Sequence, residues 1–498
     1  MSSVSDDIVS EREVGRNFGT SPFRRGCDFI SRLGVSPGFE VDSDSQPGLT
    51  PKRLISRRES EVLNLCFLFA FAFFLLAAPL LAEVPDDETL KAAGIRKLTS
   101  NHLTLYTDLP SSPDVDQLPK VFDAAIPLWA KFFEVAPSEF DDWKVTACAI
   151  QNKQRFRDYE LLPADLPPFL HGFQKFDRVW VYEQPSPYYR QHLLLHEGTH
   201  SAMNHVYGRV GPAWYREGIA EMLGTHRFEN GKLTMPYFPA DRKVVEHWGR
   251  IKIIKDDIEK GNVRSISSIV NGRTRDFLKV ESYAWSWALQ SFGHSHPKFQ
   301  DLFLGLQEEM FFSERAVTRR FMKEYYARKY EMDLAWNLFL SHLDYGYDSS
   351  KEIVHIQEEE TKVTVGKIIT AKIDVAKGWQ STGLVLPPNM KLDLAASGKF
   401  RVRLEGTLDG RPATPWPCEP QGVTIEYYQE RPLGELLAAT VNATDEADVS
   451  GLTRAQPVGR RARIATREGG TLYLRINERA DHLQDNQGEI TVKLRLFE

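Results

Sequence analysis

Apolar positions recur at helical spacing between Val115 and Val135, where Leu118, Val121, Phe122, Ala125, Ile126, Trp129, Phe132 and Phe133 fall on one face. Short strands are predicted at Leu103–Tyr106 and Lys144–Ile150, the latter rich in β-branched residues. Leu162–Leu170 holds three prolines and reads as a loop. Arg178–Tyr182 (RVWVY) predicts a further strand, and Tyr188–Val206 a helix. A Gly–Pro break precedes a second helix over Pro212–Leu223. Residues 240–345 are mostly helical, with aromatic and leucine stripes. Between Asp344 and Lys362 the texture turns polar and acidic, as in a linker. Beyond it lie short alternating runs at Val363–Val375, Lys391–Leu394, Phe400–Leu404, Val423–Tyr428, Thr471–Ile476 and Glu489–Leu496. Such runs, punctuated by Gly and Pro, predict a β-sandwich. The expected fold class is therefore α+β over residues 83–345, then a linker at 346–362 and an all-β domain at 363–498.

One apolar run is of a different kind. Val62–Ala82 carries no charge, is preceded by Lys52, Arg53, Arg57 and Arg58, and is followed by an acidic stretch. This pattern predicts an export signal, either cleaved after Ala82 or retained as a membrane anchor. Residues 1–61 read as a disordered extension or a mis-assigned start. The expected location is periplasmic, extracellular or cell-surface.

A chain of 498 residues implies two or three folded units. With 42% hydrophobic residues it has ample material for a core, and a net charge of −6 argues against nucleic acid as the main partner. The cysteines, Cys27, Cys66, Cys148 and Cys418, show no spacing suited to a thiolate metal site. Cys148 and Cys418 read as buried thiols, with a disulfide between them left open.

The chemistry concentrates at His196–Glu197–Gly198–Thr199–His200, an HExxH motif. Two histidines four residues apart on a helix share a face and reach a single ion. Neutral imidazole suits zinc, and Glu197 beside that face is placed to take a proton from water. A zinc site also needs a third protein ligand, and Glu217 follows in Trp214–Tyr215–Arg216–Glu217–Gly218–Ile219–Ala220–Glu221.

HEGTH followed by GPAWYREGIAEM resembles the gluzincin, or peptidase MA-like, metalloproteases over residues 196–224. Weaker likeness in element order extends over 95–345. The resemblance implies a zincin-like domain in which His196, His200 and Glu217 are zinc ligands and Glu197 is the general base. It makes Glu221 an acceptor for the free N–H of a ligating histidine. Tyr283 resembles the residue that stabilises the oxyanion in this group, or else is one more aromatic of a core helix. RVWVY is expected either as an edge strand that pairs with an extended peptide or as a buried strand. Gly218 is expected to let helices or a substrate approach closely. His192 reads as lying at the cleft edge or in solvent, with a metal-ligand role as the lesser alternative, and His205 and His226 as surface or cap residues, at most substrate contacts. Arg216 reads as a surface ion pair or a contact for a substrate carboxylate. His294 and His296 read as helix-end residues.

Farther along, Gly378–Gly383, Pro432–Gly434, Pro457–Gly459, Leu472–Leu474 and Asp485–Gly488 form a series resembling the β-sandwich of bacterial calcium-dependent galactose-binding lectins. The resemblance implies calcium or glycan binding at Asp485 and Asn486, against the alternative of a solvated turn. Glu478 stands where that group has an aspartate. The sequence thus predicts an exported zinc-dependent peptidase acting on a peptide or protein, with a carbohydrate-binding accessory domain. The alternative is a non-catalytic envelope protein that binds carbohydrate or surface on a zincin scaffold.

Overall fold

A five-stranded sheet forms the floor of the helical region in this computed structural model. The structure describes residues 86–402, 415–442 and 449–498, with two short backbone strands at Thr407–Leu408 and Arg411–Pro412. The predicted export segment, Cys27 and Cys66 lie outside the described residues, and so does Leu404. Among the described residues no helix is long and apolar enough to cross a membrane.

The sheet consists of β1 (Arg96–Thr99), β2 (Leu103–Thr107), β3 (Val145–Ile150), β4 (Gly172–Lys175) and β5 (Arg178–Tyr182), in the order β1-β2-β3-β5-β4. Strands β2, β3 and β5 run parallel, while β1 and β4 close the edges antiparallel. RVWVY is therefore an inner strand, and the edge belongs to β4 (GFQK). The burial of Val179, Trp180 and Val181 explains this, because a strand apolar on both faces is covered on both.

Helix α1 (Leu118–Phe132) packs its predicted apolar face into the main core, and Trp129 is fully buried there. Then follow α2 (Pro187–Tyr207), α3 (Ala213–Gly224), α4 (Arg250–Glu259) and α5 (Val280–Ser295). Helices α6 (Gln300–Met310), α7 (Glu314–Ala327) and α8 (Lys329–His342) complete the region. The described chain is thus mixed α+β.

The C-terminal region holds two larger sheets. One contains β6 (Ile368–Asp374), β8 (Met390–Ser397), β11 (Arg461–Thr466) and β13 (Glu489–Phe497), in the order β11-β8-β13-β6. The other runs β9 (Gln421–Tyr428), β10 (Arg431–Val441), β12 (Gly470–Ile476), β7 (Gln380–Leu386), with Thr361–Lys362 beyond β7 and Gln456–Pro457 paired to β10. Their inward residues, such as Leu392, Leu436, Leu474 and Val492, share one core.

All described residues belong to one compact unit. Leu334 and Leu338 of α8 join Val354, Trp379, Leu437 and Tyr473 in a separate apolar cluster across the two regions. The stretch expected as a linker contributes to this seam. Glu352 is buried within it, where it accepts a hydrogen bond from Arg475 (3.2 Å) and pairs with His342 Nδ1 (2.8 Å). Tyr330 and Tyr473 hydroxyls meet at 3.3 Å. Cys148 and Cys418 are both free and buried, and burial pushes each thiol up to about 12.

Candidate metal centre and active site

Helix α2 starts where Ser186 accepts a hydrogen bond from the Tyr189 amide, with Pro187 at its first position. It stops at Gly208, whose φ of 68° suits glycine. Two features hold its middle turn against α1. A Cβ on Gly198 would lie 2.8 Å from a Phe122 ring carbon and 2.9 Å from one of Trp129, so a larger residue would force the helices apart. Trp129 Nε1 donates to Thr199 Oγ1 (3.0 Å), and that hydroxyl donates to the Leu195 carbonyl (2.7 Å).

Helix α3 crosses beside α2 and brings Glu217 to the HExxH face. Glu217 Oε2 lies 3.4 Å from His196 Nε2 and 3.3 Å from His200 Nε2. Its other oxygen accepts from Arg216 Nε at 2.9 Å. The two imidazoles stand nearly perpendicular, with centroids 4.8 Å apart. Gly218 lets α3 meet α5, since a Cβ there would lie 2.7 Å from the Ser286 carbonyl oxygen. From α5, Tyr283 places its ring 6.2 Å from that of His196, and Phe277 packs edge-on against it.

Glu221, one turn after Glu217, faces the opposite side of His196. Its Oε1 lies 3.6 Å from His196 Nδ1, and its Oε2 lies 3.3 Å from His192 Nε2. Both oxygens also accept from Arg250, at 2.8 and 2.9 Å. His192 is fully buried, not at a cleft edge or in solvent. Tyr189 stacks on its ring at 5.5 Å, and its place four residues before His196 turns it into the same core-facing stripe. His226 is likewise buried, although its Nδ1 does meet the Gly224 carbonyl at the end of α3 (2.8 Å). His205 is exposed and pairs with the Glu139 carbonyl.

Three carboxylates are thus buried within one cluster. Burial pushes Glu197 above the usual carboxylate value, with the two motif histidines working against it. Burial acts on Glu217 as well, but His200 and His196 outweigh it and hold this carboxyl well below that value. Arg250 and His192 similarly hold Glu221 low against its burial. His196 is raised to about 9, because the Glu217 hydrogen bond and the charges of Glu221 and Glu197 exceed the opposing effect of burial. The cluster as a whole favours positive charge at its centre.

Zinc bonds of about 2.0–2.1 Å in a tetrahedron give ligand atoms about 3.4 Å apart. The Glu217 oxygen meets that separation with both histidines, at 3.4 and 3.3 Å. All three side chains are buried, and their ligand atoms lie within 4.8 Å of one another. His192, His196 and Glu221 form a second cluster of metal-ligand type. Arg250 already occupies both oxygens of Glu221 there, so a dication would face a guanidinium. The donor set of His196, His200 and Glu217 is therefore the one that fits zinc.

Glu197 is buried between α2 and β4, the edge strand of the sheet. A Cβ on Gly172 would come 2.5 Å from Glu197 Oε1, so a larger residue in β4 would push the carboxylate from its present place. Gly172 and Arg250 were not singled out from the sequence. GFQK lacks alternation, and Arg250 reaches Glu221 only through the tertiary fold.

In the C-terminal region Asn486 Nδ2 donates to Glu478 Oε2 (2.6 Å) and to the Val375 carbonyl (3.2 Å). Burial, with the nearby charge of Asp485 adding to it, pushes Glu478 up to about 8. Asp485, Asn486 and Glu478 are thus gathered in one place. Calcium takes about six to eight oxygens, and these side chains supply only part of such a shell.

No family model matches the chain. No curated protein matches it either. Among solved structures it is similar to one described as "EclA N-terminal domain; PllA-like lectin", at 23% identity over 26% of this chain and 97% of that chain, with a TM-score of 0.19. The gluzincin likeness of 196–224 therefore rests on its own residues.

Proposed function

We propose that this chain is a zinc-dependent metallohydrolase of the gluzincin type that cleaves peptide bonds. The observation that carries this reading is the convergence of three buried donors within 4.8 Å of one another, His196, His200 and Glu217, with the Glu217 oxygen 3.4 and 3.3 Å from the two histidine nitrogens, beside the Glu197 carboxylate. When bound there, zinc would act as a Lewis acid that polarises the scissile carbonyl and acidifies water.

The protein residues take the remaining roles. Glu197, its basicity raised by burial, accepts the proton of the attacking water and returns it to the leaving amine nitrogen. Tyr283 keeps its phenol protonated, because burial and then the Glu217 and Glu197 charges raise it above its ordinary value. It is the donor for the developing oxyanion. Glu221 stands 3.6 Å from His196 Nδ1, held there by Arg250, and would accept that N–H on a small closing movement, leaving Nε2 toward Glu217. The free edge of β4 offers backbone groups to an extended substrate next to Glu197.

Export to the periplasm or cell surface belongs to the same proposal and rests on the Val62–Ala82 segment. A carbohydrate-binding role for the sandwich, with calcium at Asp485 and Asn486, rests on the sequence likeness and on the gathering of those residues with Glu478.

Metal analysis of the purified protein is expected to give about one zinc per chain. His196→Ala should lose it. Glu197→Gln should keep the metal while lowering turnover on a cleavable peptide by about 10²–10⁴-fold. Wild-type turnover in Glu197→Gln would sink this mechanism. Protein that takes up no zinc would instead favour a non-catalytic binding protein.

A further inference from the structure

The outer face of the sheet β11-β8-β13-β6 carries charge in a pattern that the proposed peptidase chemistry does not use. Side chains alternate across a strand, so Ile464, Leu392, Leu394, Val492 and Leu494 point into the core. Their neighbours point outward in two rows fixed by the register. In the first, Arg461 and Lys493 flank Ala395. In the second, Arg463 and Arg495 flank Asp393, and Ile368 follows on β6. Together these rows line a trough of about 540 Å³. Ala395, the small outward residue between Arg461 and Lys493, keeps its floor low.

Among the described residues lining the trough, Asp393 is the one carboxylate. Arg463 holds it with two hydrogen bonds, and the charges of Arg461 and Arg495 act on it as well. The ion pair of this trough is Arg463 with Asp393, and among the described residues Arg461, Lys493 and Arg495 form none within 4 Å. Like charges on adjacent strands destabilise a sheet, and this concentration occurs in a chain whose net charge is −6. Such an arrangement calls for an anionic partner that supplies several charges at once.

The shape narrows the choice. The cations line a concavity, whereas a flat bilayer surface is met by protruding basic and apolar groups. Bound single-stranded nucleic acid stacks its bases on open aromatic rings. The aromatic residue of this trough, Phe497, carries the Arg463 and Arg495 guanidiniums 5.7 and 4.9 Å from its ring centre. Guanidinium forks pair two-to-two with carboxylate and sulfate groups. Along each strand the cations recur at about 7 Å, so an extended polymer with repeating charge meets both rows.

We propose that this trough binds an acidic polysaccharide, a sugar chain bearing carboxylate or sulfate groups, with Arg461, Lys493 and Arg495 as its principal contacts. The site is separate from the metal centre and does not depend on the peptidase reading.

The test uses the full-length protein with heparin as the sulfated probe, polygalacturonate as the carboxylated probe and dextran as the neutral control. Vesicles of phosphatidylglycerol and oligo-dT stand for the two rival anions. Both acidic polysaccharides should bind and dextran should not, with affinity falling as salt rises. Arg461→Ala/Lys493→Ala should weaken binding by about tenfold or more while the melting temperature does not fall. Because these side chains are exposed, the variant retains the core; Arg495→Gln provides an independent check and should also weaken binding. Unchanged affinity in both variants would overturn the proposal. So would failure of both polysaccharides to bind, or tighter binding of vesicles or oligo-dT than of either polysaccharide.

Discussion

The helical region and the sandwich place their charge in opposite ways. In the helical region Glu197, Glu217, Glu221 and Arg250 are buried around two histidines of one helix. In the sandwich Arg461, Arg463, Lys493 and Arg495 stand outward over an apolar core. The sandwich's buried ion pair, Arg475 with Glu352, serves the seam between the regions. Burying charge is costly unless it is paired, so each buried carboxylate here stands against a cation or a histidine. Exposed charge costs little and is free to recognise large partners through many weak contacts.

Arginine truncation tests this contrast most directly. Arg250→Ala leaves Glu221 buried without its guanidinium and is expected to destabilise the protein by about 3–5 kcal/mol in denaturant titration. Arg461→Ala should stay within about 0.5 kcal/mol in the same assay. Similar losses at both sites would break the comparison. Packing around the buried cluster gives a smaller effect. Gly218→Ala drives a methyl group against the Ser286 carbonyl oxygen, which must shift. A loss of about 1–3 kcal/mol is expected, together with lower zinc affinity because Glu217 is the adjacent residue.

The smallest effect is a dependence on pH. His294 lies between Phe132 and Phe303, and burial lowers it from 6.5 to about 3. The unfolded chain therefore takes up a proton first as pH falls. Stability from this residue is complete above about 6.5 and declines below it, by at most about 1.4 kcal/mol per pH unit. Melting temperatures measured between pH 7 and 5 should fall less steeply in His294→Leu than in the wild type.

Local pattern carried much of the site. Spacing alone places His196 and His200 on one helix face, and the second helix around Glu217 was legible from the break before it. Arg250 was not, because its partner Glu221 is 29 residues away and meets it only in three dimensions. Strand order also lies beyond local pattern. RVWVY reads as a strand from its residues, but whether it stands at an edge depends on β4, which has no alternation of its own. The burial of Glu352 within the acidic stretch 346–362 lies beyond local pattern for a related reason. The acidic character of that stretch is plain in the sequence, yet Glu352 is buried because Arg475, 123 residues later, neutralises it. The basic rows of the sandwich were present as alternating Arg and Lys in β11 and β13. They become a trough only when β8 pairs between those strands.

The seam bears on how such a protein could arise and be rearranged. Accessory modules that recombine freely among enzymes are usually joined by a tether that can be cut without consequence. Here a gene split near residue 345 would bare Leu334 and Leu338 on one product and Trp379, Leu437 and Tyr473 on the other. Each fragment would carry a sticky scar in place of a clean surface. The two regions are therefore expected to be inherited together, and shuffling either onto a new partner would require that seam to be rebuilt.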